Sequence, residues 1–164
     1  MPKYRTVITN VGLNALSAAI AKGETITLSH IAVGDGNGQA VEPNAAQLSL
    51  VNECARVEIL KKEASTINPG LTDVLAIFPT SVGGFTVREV GVLMQGGALF
   101  AVANMPDYYK PTPADGIVRE MSVRIPLEID AGDVEISITP ETELITRSEF
   151  DALAARVAAL EKSN

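Results

Sequence analysis

The stretch Gly83-Gly84-Phe85-Thr86-Val87-Arg88-Glu89-Val90-Gly91-Val92-Leu93-Met94-Gln95-Gly96-Gly97-Ala98-Leu99-Phe100-Ala101-Val102-Ala103-Asn104 decides the fold. Two β-branched, apolar runs, 85–94 and 98–104, flank Gln95-Gly96-Gly97, where glycine supplies the positive φ of a tight reversal. The pattern predicts an antiparallel hairpin. Neighbours on a strand point to opposite faces, so Arg88 and Glu89 do not form one site.

Downstream, Pro106, Pro111 and Pro113 surround Tyr108-Tyr109-Lys110. Proline removes ladder donors, so the segment is expected to be an ordered loop or arm and not a central strand. Residues 117–129 then alternate cleanly. Ile117, Met121, Val123, Ile125, Leu127 and Ile129 face one way, and Glu120, Ser122, Arg124 and Glu128 the other, as in a strand with one wet face. A turn at Asp130-Ala131-Gly132 is expected to lead into a strand carrying Val134, Ile136 and Ile138.

Upstream, Asn10 is a plausible N-cap for a helix over 11–22, with Leu13, Leu16 and Ile20 at helical spacing and Gly23 as its left-handed stop. A strand is expected over 25–33, then a glycine loop (Gly34-Asp35-Gly36-Asn37-Gly38) continuing to about Asn44, and a short helix over 45–51. Residues 55–63 read as one continuous strand. Asn68-Pro69-Gly70 turns it into a strand over 71–78.

The last segment differs from all of these. Phe150, Leu153, Val157 and Leu160 are spaced 3, 4 and 3, which places them on one a/d seam. Ser148 with Asp151 resembles a capping box, and Arg156 at g faces Glu161 at the following e in a parallel arrangement. The expected fold class is therefore α+β: an N-terminal helix, mainly antiparallel β-strands, and a C-terminal coiled-coil helix. The expected divisions are a domain over 1–140, a linker over 141–147 and an oligomerisation helix over 148–164.

Composition narrows the function classes. The chain has 164 residues, 46% of them hydrophobic but only 4% aromatic, with no tryptophan. Such a core is built from aliphatic side chains. A net charge of −7 disfavours nucleic acid, which requires clustered lysine and arginine. The start, Met1-Pro2-Lys3-Tyr4-Arg5, lacks a signal-peptide apolar stretch, and the longest apolar runs are far too short to span a membrane. Cys54 is the single cysteine, so no disulfide framework or thiolate metal cluster is expected.

Catalytic chemistry finds little support. His30 is the only histidine and lies in a strand pattern, which favours a structural hydrogen bond. Asp35-Gly36-Asn37 begins like a calcium loop, but Gln39, Ala40 and Ala46 break the pattern. The glycine spacing is not that of a dinucleotide fold either. No catalytic, metal or cofactor residues are therefore expected.

The order of the unusual motifs carries more information. Thr9-x-x-Gly12 precedes an alanine-rich helix, followed by His30-Ile31-Ala32-Val33-Gly34-Asp35-Gly36 and Leu50-Val51-Asn52-Glu53-x-x-Arg56. Gly83 to Gly91 and Val102-Ala103-Asn104-Met105-Pro106-x-x-Tyr109-Lys110-Pro111 complete the set. Over about residues 3–147 the chain resembles the N-terminal domain of the phage tail-collar fibre family, found in tail fibres of contractile-tailed bacteriophages and R-type bacteriocins. Thr86 departs from the family pattern, which places an aromatic there.

The resemblance implies a structural protein of the virion tail, assembled in the host cytoplasm. It implies a homotrimer whose N-terminal domains fasten a fibre to baseplate proteins while distal parts recognise the host. The heptad alone leaves dimer and trimer open. A variant of this reading makes the chain an adaptor whose end binds a separate distal fibre protein. The seam residues Phe150, Leu153, Arg156, Val157, Leu160 and Glu161 are the expected oligomerisation set. Tyr108, Tyr109, Lys110 and Pro111 are the expected partner contact.

Overall fold

The predicted hairpin is the centre of the molecule. In the computed structural model, which describes residues 3–66, 68, 70–129, 136–138 and 147–162, its strands pair antiparallel with Val90 opposite Ala103 and Val92 opposite Ala101. Around it, in chain order, lie β1 (Thr6–Ile8), α1 (Asn10–Lys22), β2 (Ile26–Gly34), β3 (Glu53–Glu58), β4 (Lys61–Ala64) and β5 (Thr72–Phe78). The hairpin strands β6 (Phe85–Met94) and β7 (Leu99–Lys110) follow, then β8 (Met121–Leu127), β9 (Ile136–Ile138) and α2 (Arg147–Lys162). One sheet has the order β1-β7-β6-β2-β3, with β9 also on β2, and the second has the order β4-β5-β8.

The inward faces of the two sheets form the main core. Val74, Ala76 and Phe78 of β5 and Met121, Val123, Ile125 and Leu127 of β8 meet Ile31, Val33, Val87, Val92 and Phe100. A smaller cluster of Ala32, Leu50, Leu93, Leu99 and Val102 lies apart from it. Alternation along β8 is as expected: Met121, Val123, Ile125 and Leu127 are buried, and Ser122, Arg124 and Pro126 are exposed.

The architecture corrects the α+β expectation. The described residues are mostly β-strand in two sheets, with one short helix near each end. The C-terminal coiled coil is corrected as well. α2 has 16 residues, a rise of about 24 Å at 1.5 Å per residue, and its apolar side chains Phe150, Leu153, Val157 and Leu160 are exposed. Two heptads make a single helix and not a long coiled coil.

Four local expectations change for identifiable reasons. The strand over 55–63 breaks in two because the chain switches sheets there. Ile59 N–H donates to Ser29 O at 3.0 Å in the large sheet, and Leu60 N–H donates to Leu75 O at 2.8 Å in the small one. The helix over 45–51 is absent, because Asn44 Oδ1 and Gln47 Oε1 accept nearby backbone N–H groups and close a turn. The first part of the supposed loop or arm, through Lys110, is the second half of β7, and Pro111 and Pro113 follow it. Val87 pairs with Tyr108 and Glu89 with Asn104, so 105–107 bulge opposite Arg88, and Pro106 sits where no ladder donor is needed. The strand over 117–129 begins only at Met121.

α1 starts one residue earlier than expected. Its cap is Thr9, whose Oγ1 accepts Gly12 N–H at 2.9 Å, and Gly23 closes it at φ 65° as predicted. β9 does not form a hairpin with β8, because it joins the other sheet, parallel to β2, with Ile26 opposite Ile136. The expected turn at 130–132, Val134, Pro69, linker residues 141–146 and the Ser148 side chain lie outside the described residues.

Candidate interaction surface

The residues that make the sequence motifs unusual are internal staples. Thr9 is fully buried; its hydroxyl donates to Leu99 O at 2.6 Å while accepting from Gly12. A Cβ on Gly12 would stand 2.2 Å from Phe100 O, so only glycine lets α1 lie this close to β7. Glu89 is also fully buried, and its two carboxylate oxygens accept the N–H groups of Val51 and Asn52, each at 2.9 Å. A Cβ on Gly34 would collide with Asn52 O and Glu89 Oε1 at 2.4 Å each.

Asp35 lies beside this knot. Its Oδ1 accepts from the Asn52 side chain at 2.8 Å and from Asn37 N–H at 2.9 Å, and these bonds lower its pKa, the Asn52 amide contributing most. Arg88 reaches over the top to Asp35 O and to Asp107, on the face away from Glu89 as strand geometry requires. His30 Nδ1 contacts Ser29 Oγ at 2.9 Å, a structural role. Cys54 is half-buried, and burial is the main cause of its raised thiol pKa.

The expected contact set 108–111 divides sharply. Lys110 is fully buried. Its ammonium donates to Pro79 O at 2.8 Å, to Arg119 O at 3.1 Å and to Val82 O, and burial lowers its pKa. Pro111 is buried too, and Tyr108 is half-buried against the main core. Tyr109 alone is exposed, at 53%. Its hydroxyl donates to Asp115 Oδ2 at 3.0 Å, the oxygen that also accepts Thr112 N–H at 2.8 Å and Thr112 O–H at 3.1 Å. Asp115 is held below the usual carboxylate range, chiefly by the Thr112 N–H, and the same cluster raises the Tyr109 phenol through its bond to Asp115.

Several apolar side chains face outward, Leu48 the most at 75% exposed. Phe150, Leu153, Val157 and Leu160 of α2 are 49–66% exposed. Arg156 and Glu161 are exposed on the same helix. Ile117 and Val118 stand 59% and 68% exposed on the loop before β8. Ile117 continues the alternation of the buried side chains that follow it, so its exposure was not readable from the sequence; Val118 falls on the opposite phase. Beside their loop a groove of about 510 Å³ opens between the sheets, with Val90, Met105, Met121 and Val123 among its lining residues. Among the described residues there is no group of three or more His, Cys, Asp or Glu arranged to hold a metal ion. No helix there is long and apolar enough to cross a membrane.

Comparison with known proteins places this stapled domain in a family. The family "Phage tail-collar fibre protein, N-terminal" matches residues 1–148. A probable tail fiber protein of Escherichia phage P2 is 36% identical over 151 residues, covering 91% of this chain and 23% of that protein. The chain thus spans about a quarter of the length of the relative it matches. No solved structure matches it. The chain belongs to the phage tail-collar fibre family, in its N-terminal part, and is a component of the virion tail.

Proposed function

We propose that the domain fastens a homotrimeric fibre to the baseplate of a contractile tail. The role is structural, with no catalytic step. The observation that carries this reading is the α2 seam: four large apolar side chains at heptad spacing, each about half or more exposed in the single chain, just beyond the family domain. Solvent-facing apolar residues in this number and register on one helix are costly unless another surface covers them. A neighbouring copy in parallel covers them and brings Arg156 to Glu161. Parallel copies also place their β domains at one end, where they can bind the baseplate together.

The stapled interior supports the same role. Attachment under load requires a domain whose loops do not open, and Glu89, Lys110 and Thr9 each tie a loop or helix to the sheets. The test is co-sedimentation of the purified chain with tail particles assembled without their fibre. Binding at the baseplate end, lost when Leu153 and Leu160 are changed to Asp, is the expected result. No association of the folded wild-type chain with the particles would contradict the reading.

A further inference from the structure

Three peptide bonds of the chain join an Asn or Asp to a following glycine: Asp35-Gly36, Asn37-Gly38 and Asp115-Gly116. Glycine has no Cβ, so its backbone nitrogen can approach the preceding side chain's Cγ and close a five-membered ring. In a folded domain the outcome depends on what holds the two reacting groups. The three bonds are held differently.

At Asp115 both groups are tied. Its Oδ2 accepts from Thr112 N–H at 2.8 Å, Tyr109 O–H at 3.0 Å and Thr112 O–H at 3.1 Å, and Gly116 N–H donates to Pro113 O at 3.1 Å. At Asp35 the carboxylate is tied, by the Asn52 side chain at 2.8 Å and Asn37 N–H at 2.9 Å. Gly36 beside it is closely packed, since an added Cβ would lie 2.6 Å from Val41 Cγ2.

Asn37 differs from both. It is exposed, and among the described residues its side-chain amide has no hydrogen-bond partner. Gly38 N–H donates to Asp35 O at 3.2 Å, a single neutral bond, and a Cβ on Gly38 would meet nothing within 4 Å. Asn37 is also the one described non-glycine residue at positive φ, 54°, a conformation that favours leaving the turn.

We propose that Asn37 is a site of spontaneous deamidation in the folded domain, while Asp35 and Asp115 are held from the same cyclisation. Rotation about the Asn37 Cα–C bond frees Gly38 N from Asp35 O and brings it to Cγ. The N–Cγ bond forms, the Cγ–Nδ2 bond breaks, and ammonia leaves with the proton of the attacking N–H. Water then opens the ring at either carbonyl, leaving aspartate or β-linked isoaspartate at position 37. The product adds a negative charge to a chain already at −7, next to Asp35. The β-linkage lengthens the turn that presents Asp35 to Asn52 and Arg88 and loosens it.

Peptide mapping with isoaspartate detection tests this on the intact chain, incubated at neutral pH with and without urea. The unfolded arm gives each bond's intrinsic rate, and the ratio of unfolded to native rate gives its protection. Protection at Asp35 and at Asp115 is expected to exceed that at Asn37 by at least about tenfold, the difference between charge-assisted bonds and one neutral bond. The native chain is expected to gain the mass of deamidation on the peptide holding Asn37, and Asn37→Gly, which suits a positive φ, removes that gain. Equal protection at the three bonds would overturn the proposal, as would a native chain that keeps Asn37 intact while the unfolded chain converts. Isoaspartate appearing first at position 35 or 115 would overturn it as well.

Discussion

Glu89 and Asn52 are joined across the molecule: the buried carboxylate of a central strand accepts the N–H of a loop residue 37 positions earlier at 2.9 Å. The second oxygen takes the N–H of Val51. One side chain thereby fixes the loop that follows the glycine turn, and Gly34 leaves the space for it.

Glu89→Gln keeps the shape but sets an amide NH₂ against one of these donors. The expected loss is about 1–3 kcal/mol, the range for leaving a buried donor unsatisfied. Glu53→Gln removes an exposed pairing to Arg56 and is expected to cost about 0–1 kcal/mol. Urea midpoints of the two variants check the contrast, and equal losses would remove the staple assigned to Glu89.

Gly12→Ala forces a methyl against Phe100 O, where the backbone cannot yield easily. α1 is expected to lift from β7 at a cost of about 1–3 kcal/mol. Hydrogen exchange along α1 and the urea midpoint report it together; an unchanged midpoint would show that the helix is not clamped.

Lys110→Met leaves three carbonyls without their donor. The expected destabilisation is about 3 kcal/mol or more, since each charge-assisted bond contributes about 1.5–3 kcal/mol. Faster exchange should concentrate in 79–84 and 111–120, the segments that the ammonium joins. Uniform exchange would contradict a local staple.

Tyr109 and Asp115 give a pH signature. The bond raises the folded phenol above its ordinary value of about 10, so its contribution is complete below that value and is lost as pH rises through the folded one. Asp115 is depressed, so its contribution is present above the ordinary carboxylate value and is lost as pH falls through the folded one. Phenolate absorbance should show Tyr109 titrating late, a phase that Asp115→Asn moves earlier and Tyr109→Phe removes. A Tyr109 titration unaffected by Asp115→Asn would refute the bond.

Much of this was legible in the residues, and its limits have physical causes. The hairpin at Gln95-Gly96-Gly97, the Gly23 stop and the alternation of Met121 to Leu127 were readable because local geometry dictates them. Period-2 alternation marks which side chains point inward but not which sheet a strand joins. Hence the break at Ile59, where the chain crosses between sheets, and the parallel placement of Ile136 on Ile26 were both hidden. Pro106 misled because the rule against proline in strands does not reveal a bulge on the partner register. Lys110 was assigned to a surface because lysine is rarely buried, and only the convergence of three carbonyls from distant loops makes its burial tolerable. On α2 the heptad was visible, but two heptads fix neither a partner nor a number of copies.

The native mass of the chain by sedimentation equilibrium tests the central claim most directly, measured for the intact chain and for Leu153→Asp with Leu160→Asp. The account predicts three times 17.3 kDa for the intact chain and a shift toward one chain for the variant, with the β domain still folded. An intact chain that sediments at 17.3 kDa at all concentrations would contradict it.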